Sequence, residues 1–252
     1  MVHFVGAGPG AADLLTVRGM RLLARAGCVI YAGSLVNPAL LAYAPAGCTV
    51  YNSAEMTLEQ VLQAIRDAEA AGVDTVRLHT GDPCLYGAIR EQMDALDALG
   101  IPWDDTPGVS SFCAAAAALG AEYTLPGVSQ SLIITRMAGR TPVPAGEDLT
   151  ALASHGCSMV LFLSAGMMER VQQELLKGAY DENTPAALVY KATWPEEKTV
   201  RCTVGTLAQA GRAHGIDKTA LVLVGDFLDT PDYSRSRLYD PTFCTEYREA
   251  SK

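Results

Sequence analysis

What most constrains this chain is an alternation in its first half. Short apolar runs are followed by glycine-bearing bends and then by segments with helical spacing. Residues 2–5 read as a buried strand, followed by the bend Gly6-Ala7-Gly8-Pro9-Gly10. Residues 14–26 then carry apolar side chains near a 3.6-residue period, with Thr16 placed to cap them. Residues 28–31 read as the next strand, and residues 58–71 as a helix opened by Thr57 and stopped at Gly72. A strand over 75–79 runs into Thr80-Gly81-Asp82-Pro83, a helix over 88–99 stops at Gly100, and Pro107-Gly108 leads into a small-residue helix over 109–119. Strands and helices in strict alternation bury their apolar faces in a mostly parallel sheet covered by helices, so the fold class is α/β.

The pattern breaks at residues 123–127, which contain Pro126 and read as a linker. Beyond it, residues 132–135 and 159–163 read as strands, a helix lies within 168–176, and 188–192, 200–204 and 220–224 read as further strands. Few helical patterns separate the last three, which predicts a sheet that is mixed or partly antiparallel. The expected organisation is an α/β domain over 1–122, a mixed α/β domain over 128–228, and a surface tail from 229 to 252 rich in Asp, Arg, Ser and Tyr.

Charge and composition narrow the function classes. A formal net charge of −9 gives no general attraction to nucleic acid or to an anionic membrane. No apolar run reaches the roughly 18 residues that span a bilayer. The start, Met1-Val2-His3-Phe4-Val5-Gly6, has no basic n-region and no cleavage site, so a cytoplasmic location is expected. The seven cysteines are widely and irregularly spaced, which argues against zinc and disulfide frameworks; most are expected to be buried small apolar residues. His3, His79, His155 and His214 never pair at i, i+4, and no metal site is predicted.

Three bends hold chemistry-bearing residues. Gly6-Ala7-Gly8-Pro9-Gly10, with Ala11, loosely fits a dinucleotide fingerprint, but the second strand ends Tyr31-Ala32-Gly33-Ser34 with no acid for a ribose. A tight strand-to-helix turn accounts for it equally well. Asp82, in Thr80-Gly81-Asp82-Pro83-Cys84-Leu85-Tyr86-Gly87, taken alone starts a turn and caps a helix. In Thr106-Pro107-Gly108-Val109-Ser110-Ser111 one serine caps the helix and leaves the other spare.

Taken together and in order, these segments resemble the tetrapyrrole (class III) methyltransferase family over nearly the whole chain. Residues 31–36 and 79–89, Thr135-Arg136, Gly139-Arg140-Thr141-Pro142-Val143-Pro144 and Tyr190-Lys191-Ala192-Thr193-Trp194-Pro195 resemble the branch that methylates precorrin-4 or cobalt-precorrin-4 at ring carbon 11 in cobalamin biosynthesis. The resemblance implies a homodimer of subunits with two α/β domains, and S-adenosylmethionine in a cleft between them. It assigns Thr80, Gly81, Asp82 and Leu85 to the methionine part and ribose, Ser110 and Ser111 to the methionine end, and Leu163, Ser164, Ala192, Thr193, Thr219, Ala220 and Leu221 to the adenosine. Gly8, Pro9 and Gly10 would line the trough where cofactor and tetrapyrrole meet. The uroporphyrinogen branch carries an acid and a lysine where this chain has Ala32 and Asn52, which disfavours that reaction here.

A substrate with many carboxylates needs cations, and Arg136, Arg140 and Lys191 are the expected ones; Arg77 and Arg201 lie near the same segments, with Arg77 read as solvated or surface-paired. His79, Asp82 and Tyr86 are the candidates to collect the departing ring proton. The alternatives are another corrin-pathway C-methyltransferase, a nicotinamide-dependent oxidoreductase using Gly6–Gly10, and a non-catalytic tetrapyrrole carrier.

Overall fold

The structure is a computed structural model that describes residues 1–33 and 35–251; Ser34, part of one family-like stretch, lies outside the described residues. The chain divides into two compact units. One comprises Met1–Ala114 with Lys191–Glu197, the other Ala115–Tyr190 with Lys198–Lys252.

The first unit is built on five strands: β1 (Val2–Gly6), β2 (Cys28–Tyr31), β3 (Thr49–Asn52), β4 (Thr75–His79) and β5 (Trp103–Thr106). Their order is β3-β2-β4-β1-β5 and every pairing is parallel, as the alternation predicts. Successive side chains of β1 serve opposite faces. Val2 and Phe4 pack with Cys28 and Ile30 against Val61 and Ile65 of α2 (Leu58–Ala70) and Leu96 of α3 (Arg90–Leu99). Val5 packs with Val29, Val76 and Leu78 against Leu22 and Leu23 of α1 (Val17–Leu23). Both faces are therefore covered, as parallel sheets require.

Local signals set the helix ends. Thr16 caps α1 by accepting from the Gly19 amide, so that helix begins later than the periodicity suggests, after a 3₁₀ turn over Ala12–Leu14. Thr57 and Gln60 form a reciprocal capping box at the start of α2. Helix α3 begins at Arg90 rather than 88 because Ala88 has a φ of 49°, outside the helical region.

Helix α4 (Ser111–Leu119) begins in the first unit and ends in the second. The second unit contains β6 (Leu132–Arg136), α5 (Leu149–Ala153), β7 (Ser158–Phe162), α6 (Met168–Leu176), β8 (Pro185–Tyr190), β9 (Lys198–Thr203), α7 (Leu207–Ala213) and β10 (Ala220–Val224). The sheet order is β6-β7-β10-β8-β9; β6–β7 is parallel and the remaining pairings are antiparallel, the mixed sheet expected. Helix α7, between β9 and β10, was not expected: three of its seven residues are Ala and one is Gly, which weakens an amphipathic signal. It contributes Leu207 and Ala208 to a core with Met159, Leu161, Val171, Leu175, Leu188 and Val222.

After Asp229 the chain is almost wholly exposed, and it folds on itself where the Arg248 guanidinium donates to the carbonyls of Leu238, Asp240 and Phe243. The cysteines depart from expectation. Only Cys28 is buried; Cys48, Cys157 and Cys202 are half-buried, and Cys84, Cys113 and Cys244 are exposed, the first two because they sit in a surface bend and on the outer face of α4. Among the described residues no helix is long and apolar enough to cross a membrane.

Candidate active site

In the first unit three neighbouring parallel strands, β4, β1 and β5, end together, and their following bends interlock through glycine. A Cβ built on Gly6 would lie 2.5 Å from the Gly108 Cα and 2.6 Å from the Gly81 carbonyl oxygen. One built on Gly108 would lie 2.1 Å from that same oxygen. Real Cβ contacts do not come so close, so the approach of these three backbones requires residues without side chains. Gly8 and Gly81 exchange backbone hydrogen bonds of 3.2 and 2.9 Å, and the Ala7 amide donates to the His79 carbonyl at 2.7 Å.

Asp82 ties the bends together. One carboxylate oxygen accepts from the Cys84 amide at 2.8 Å, the other from the Gly108 amide at 2.9 Å. Burial pushes its pKa up, but hydrogen bonds from Cys84 and Gly108 favour the anion more, and the net position is below the ordinary carboxylate range. The neighbouring Cys84 thiol, bonded to that carboxylate, is pushed up to about 11. The helix-cap reading of Asp82 therefore gives way to a bond that spans two bends.

His79, at the end of β4, is 4% exposed, and its Nε2 has no hydrogen-bond partner among the described residues. Burial, then the nearby Arg77 charge, pushes its pKa down to about 3. The next residue, Thr80, also has a buried Oγ1 without a partner. Ser110 is buried and Ser111 opens α4; the Ser111 amide lies 3.6 Å from the Cβ position of Gly81. Leu85 is half-buried, whereas Tyr86 is exposed at a φ of 56°.

The segment Lys191–Glu197, which links β8 to β9, belongs to this unit and clasps the first bend. Thr193 Oγ1 accepts from the Ala11 amide at 2.9 Å, and Trp194 Nε1 donates to the Pro9 carbonyl at 3.0 Å. A Cβ on Gly10 would lie 2.2 Å from the Trp194 ring. Asn37 Nδ2 donates to the Gly10 carbonyl at 2.8 Å. Ala192 is buried, and Lys191 Nζ lies 3.6 Å from Glu196 and 5.3 Å from the Trp194 ring centre.

In the second unit the end of β7 and the start of β10 share one edge of the sheet, because those strands are antiparallel. Leu163 projects there, 65% exposed at a φ of 52°. Ser164 is fully buried; its hydroxyl accepts from the Met137 amide at 2.8 Å and donates to the Phe162 carbonyl at 2.7 Å, so it fastens β6 to β7. Pairing of β10 with β8 begins at Ala220, whereas pairing with β7 begins only at Val222. Thr219, Ala220 and Leu221 therefore keep one backbone edge outside the ladder, with Thr219 at a φ of 53°.

The expected cations are placed differently from a simple basic patch. Arg136 donates to the carbonyls of Thr141 and Pro142 at 3.2 and 2.6 Å and so shapes the turn that carries Arg140, which is exposed. Arg201 donates to the Leu228 and Leu119 carbonyls. Arg77 is not solvated, as the sequence reading had it: it is 6% exposed, because β4 is central and covered on both faces.

The sequence reading did not single out Gln92, Gly108 as a contact residue, or Trp194. Nothing beside Trp194 in the sequence marks its contact with the first bend, since its partner Pro9 lies 185 positions earlier. Among the described residues no group of three His, Cys, Asp or Glu is placed to hold a metal ion.

The three interlocked bends, joined by Asp82, lie beyond the carboxyl ends of parallel strands, where ligands of open α/β sheets bind. Comparison with known proteins gives the class: residues 1–208 match the family described as Tetrapyrrole (Corrin/Porphyrin) Methylases, and the chain belongs to that family. More narrowly, it is 48% identical, over 100% of its length and 97% of the relative's, to a cobalt-precorrin-4 C(11)-methyltransferase of Methanocaldococcus jannaschii. It is 47% identical to the Mycobacterium tuberculosis precorrin-4 C(11)-methyltransferase, covering 94% of this chain and 95% of that one. The solved structure of a cobalt precorrin-4 methyltransferase superposes with a TM-score of 0.89 at 47% identity, covering 91% of this chain and 96% of the other. A uroporphyrin-III C-methyltransferase from Thermus thermophilus, complexed with S-adenyl homocysteine, superposes with a TM-score of 0.75 at 29% identity, covering 90% and 93%.

Proposed function

We propose that this chain is an S-adenosylmethionine-dependent methyltransferase that methylates precorrin-4, or its cobalt-bearing form, at ring carbon 11. The observation that carries this reading is the end-to-end 48% identity with a relative named for that reaction. The meeting of three glycine bends around Asp82 in the first unit also supports it. A nicotinamide-dependent oxidoreductase would need an acid at the end of β2 to hold a ribose, and Tyr31-Ala32-Gly33 provides none.

The residues present fit the cofactor's chemistry. In the first unit, the amides that open α4 suit a carboxylate, and the unpartnered Thr80 hydroxyl oxygen can accept from an ammonium group. Thr80, Gly81, Leu85, Ser110 and Ser111 are assigned to the methionine part, and Asp82 to holding their bends in place. Gly8, Pro9 and Gly10, clasped by Thr193 and Trp194, are assigned to the tetrapyrrole side. In the second unit, the open backbone edge of Thr219–Leu221 suits the hydrogen-bonding edge of a purine, and the projecting Leu163 suits its face. Ser164 supports that edge from beneath.

When bound, S-adenosylmethionine supplies an electrophilic methyl group on a sulfonium. The chain's contribution is positioning, which at best lowers a barrier by roughly 7–11 kcal/mol. His79, held neutral, and Asp82, with both oxygens occupied by amides, are weak bases, so in this reading the ring proton leaves to water. Arg140 and Lys191 are assigned to substrate carboxylates, and Arg136 to shaping the Arg140 turn. The same reading makes the protein a cytoplasmic homodimer, for which sedimentation at twice the chain mass is the check.

Calorimetric titration with S-adenosylhomocysteine and with NADH tests the cofactor assignment. Binding of the first alone is expected; binding of NADH alone overturns it.

A further inference from the structure

A buried arginine in the middle of a strand needs an explanation. Arg77 sits on central β4 with no carboxylate partner among the described residues; its Nε donates to Gln92 Oε1 at 3.0 Å, and one terminal nitrogen donates to the Ile30 carbonyl at 3.1 Å. Burial pushes its pKa down to about 10, so it stays charged at neutral pH. Uncompensated burial of a cation is costly, and an aliphatic side chain would fill the same space without that cost.

The reason lies one step further along. Gln92 is 5% exposed, and its Nε2 donates to the Ala88 carbonyl at 2.9 Å. An amide side chain fits its site in two flipped orientations unless its partners choose between them. Arginine offers donors and no acceptor, so Oε1 must face Arg77 and Nε2 must face Ala88. Ala88 ends the bend that begins at Thr80, and that bend is strained: Tyr86 and Ala88 have φ of 56° and 49°, which non-glycine residues rarely adopt. Asp82 fixes the start of the bend through Cys84 and Gly108. Gln92 fixes its end.

We propose that Arg77 and Gln92 are positioning residues for the bend over residues 80–89: the arginine orients the Gln92 amide, and the amide clamps the strained Ala88 backbone so that the bend is preformed for its ligand. This rests on the reading of that bend as part of the cofactor site. Neither residue touches the ligand in this account; both act through Ala88.

Gln92→Glu separates clamping from general stability. Glutamate keeps an acceptor for Arg77, now as an ion pair, but has no donor for Ala88 and sets a carboxylate oxygen against that carbonyl. The melting midpoint should fall by only about 2–4 °C, the loss of one hydrogen bond. Amides of residues 80–89 should exchange with deuterium about tenfold faster. S-adenosylhomocysteine should bind about tenfold more weakly, with the Michaelis constant for S-adenosylmethionine rising in proportion and kcat changing far less. Arg77→Met, which fills the space of the arginine stem but offers Gln92 Oε1 no donor and so leaves the amide free to flip, should reproduce the exchange and affinity changes and serves if the glutamate variant does not fold. Parental exchange in residues 80–89 overturns the clamp. Faster exchange with parental S-adenosylhomocysteine affinity overturns instead the assignment of the bend to the cofactor.

Discussion

Gly108→Ala is the sharpest probe of the interlocked bends. The added Cβ would meet the Gly81 oxygen at 2.1 Å, the Gly6 Cα at 2.7 Å and the Gly6 carbonyl carbon at 2.9 Å. All three are backbone atoms of a buried parallel sheet's bends, so no flexible side chain can swing aside. Restoring an ordinary contact with the Gly81 oxygen requires a shift of about 1 Å, since overpacked atoms move rather than overlap. Overpacking of this kind costs about 1–3 kcal/mol, and the same shift stretches the 2.9 Å bond from the Gly108 amide to Asp82. A charge-assisted hydrogen bond contributes about 1.5–3 kcal/mol, so the expected destabilisation is about 3–5 kcal/mol. For a chain of this size that lowers the melting midpoint by about 6–20 °C. A misplacement of about 1 Å at a ligand cradle also weakens function by about 100-fold. Gly47→Ala is the control, because a Cβ there meets none of the described residues within 4 Å. Thermal melts and S-adenosylhomocysteine titrations of both variants are the assay. A Gly108→Ala protein with parental melting and parental affinity refutes the argument that three backbones must meet without side chains.

Three further outcomes follow from the same geometry. Asp82→Asn keeps only one acceptor oxygen for the Cys84 and Gly108 amides and should weaken S-adenosylhomocysteine binding at least tenfold. Because the folded Asp82 pKa lies below its usual 3.8, its stabilisation is complete above that value and is lost as pH falls through the folded pKa; urea melts should show the gap between parent and variant narrowing only below about pH 4. His79 should show no NMR titration between pH 5 and 8. With its folded pKa near 3 against 6.5 unfolded, it favours unfolding increasingly as pH drops below 6.5, and a midpoint near 6.5 would remove the claim that it is held neutral. Trp194→Phe loses the bond to the Pro9 carbonyl, about 1 kcal/mol of stability, and should raise the Michaelis constant for the tetrapyrrole more than that for S-adenosylmethionine; an equal rise in both contradicts the assignment of that bend.

Much of the fold was legible because periodicity and end signals agreed. Cys28–Tyr31 and Thr75–His79 emerge with the expected bounds, and Thr16, Thr57, Gly72 and Gly100 act where helices start and stop. Helix α7 was hidden because Ala and Gly carry little apolar contrast, and α3 was shortened by a backbone strain at Ala88 that no residue type announces. At the site, the order of the glycine bends pointed to segments that meet beyond the ends of β4, β1 and β5. The division of labour within them was not readable. Which oxygens of Asp82 accept which amides, that the Ser164 hydroxyl is taken up within its own sheet, and that Arg77 is buried rather than solvated all depend on contacts between residues distant in sequence. An arginine flanked by Val76 and Leu78 can point either way from a strand covered on both faces, and only the partner on α3 decides its role.

The most direct test is single-turnover incubation with methyl-labelled S-adenosylmethionine and either precorrin-4 or cobalt-precorrin-4, followed by mass spectrometry and carbon NMR of the product. One added methyl, with its label at ring carbon 11 for at least one of the two substrates, is the predicted result. A label at another ring carbon, or no transfer to either substrate by protein that binds S-adenosylhomocysteine, contradicts the account.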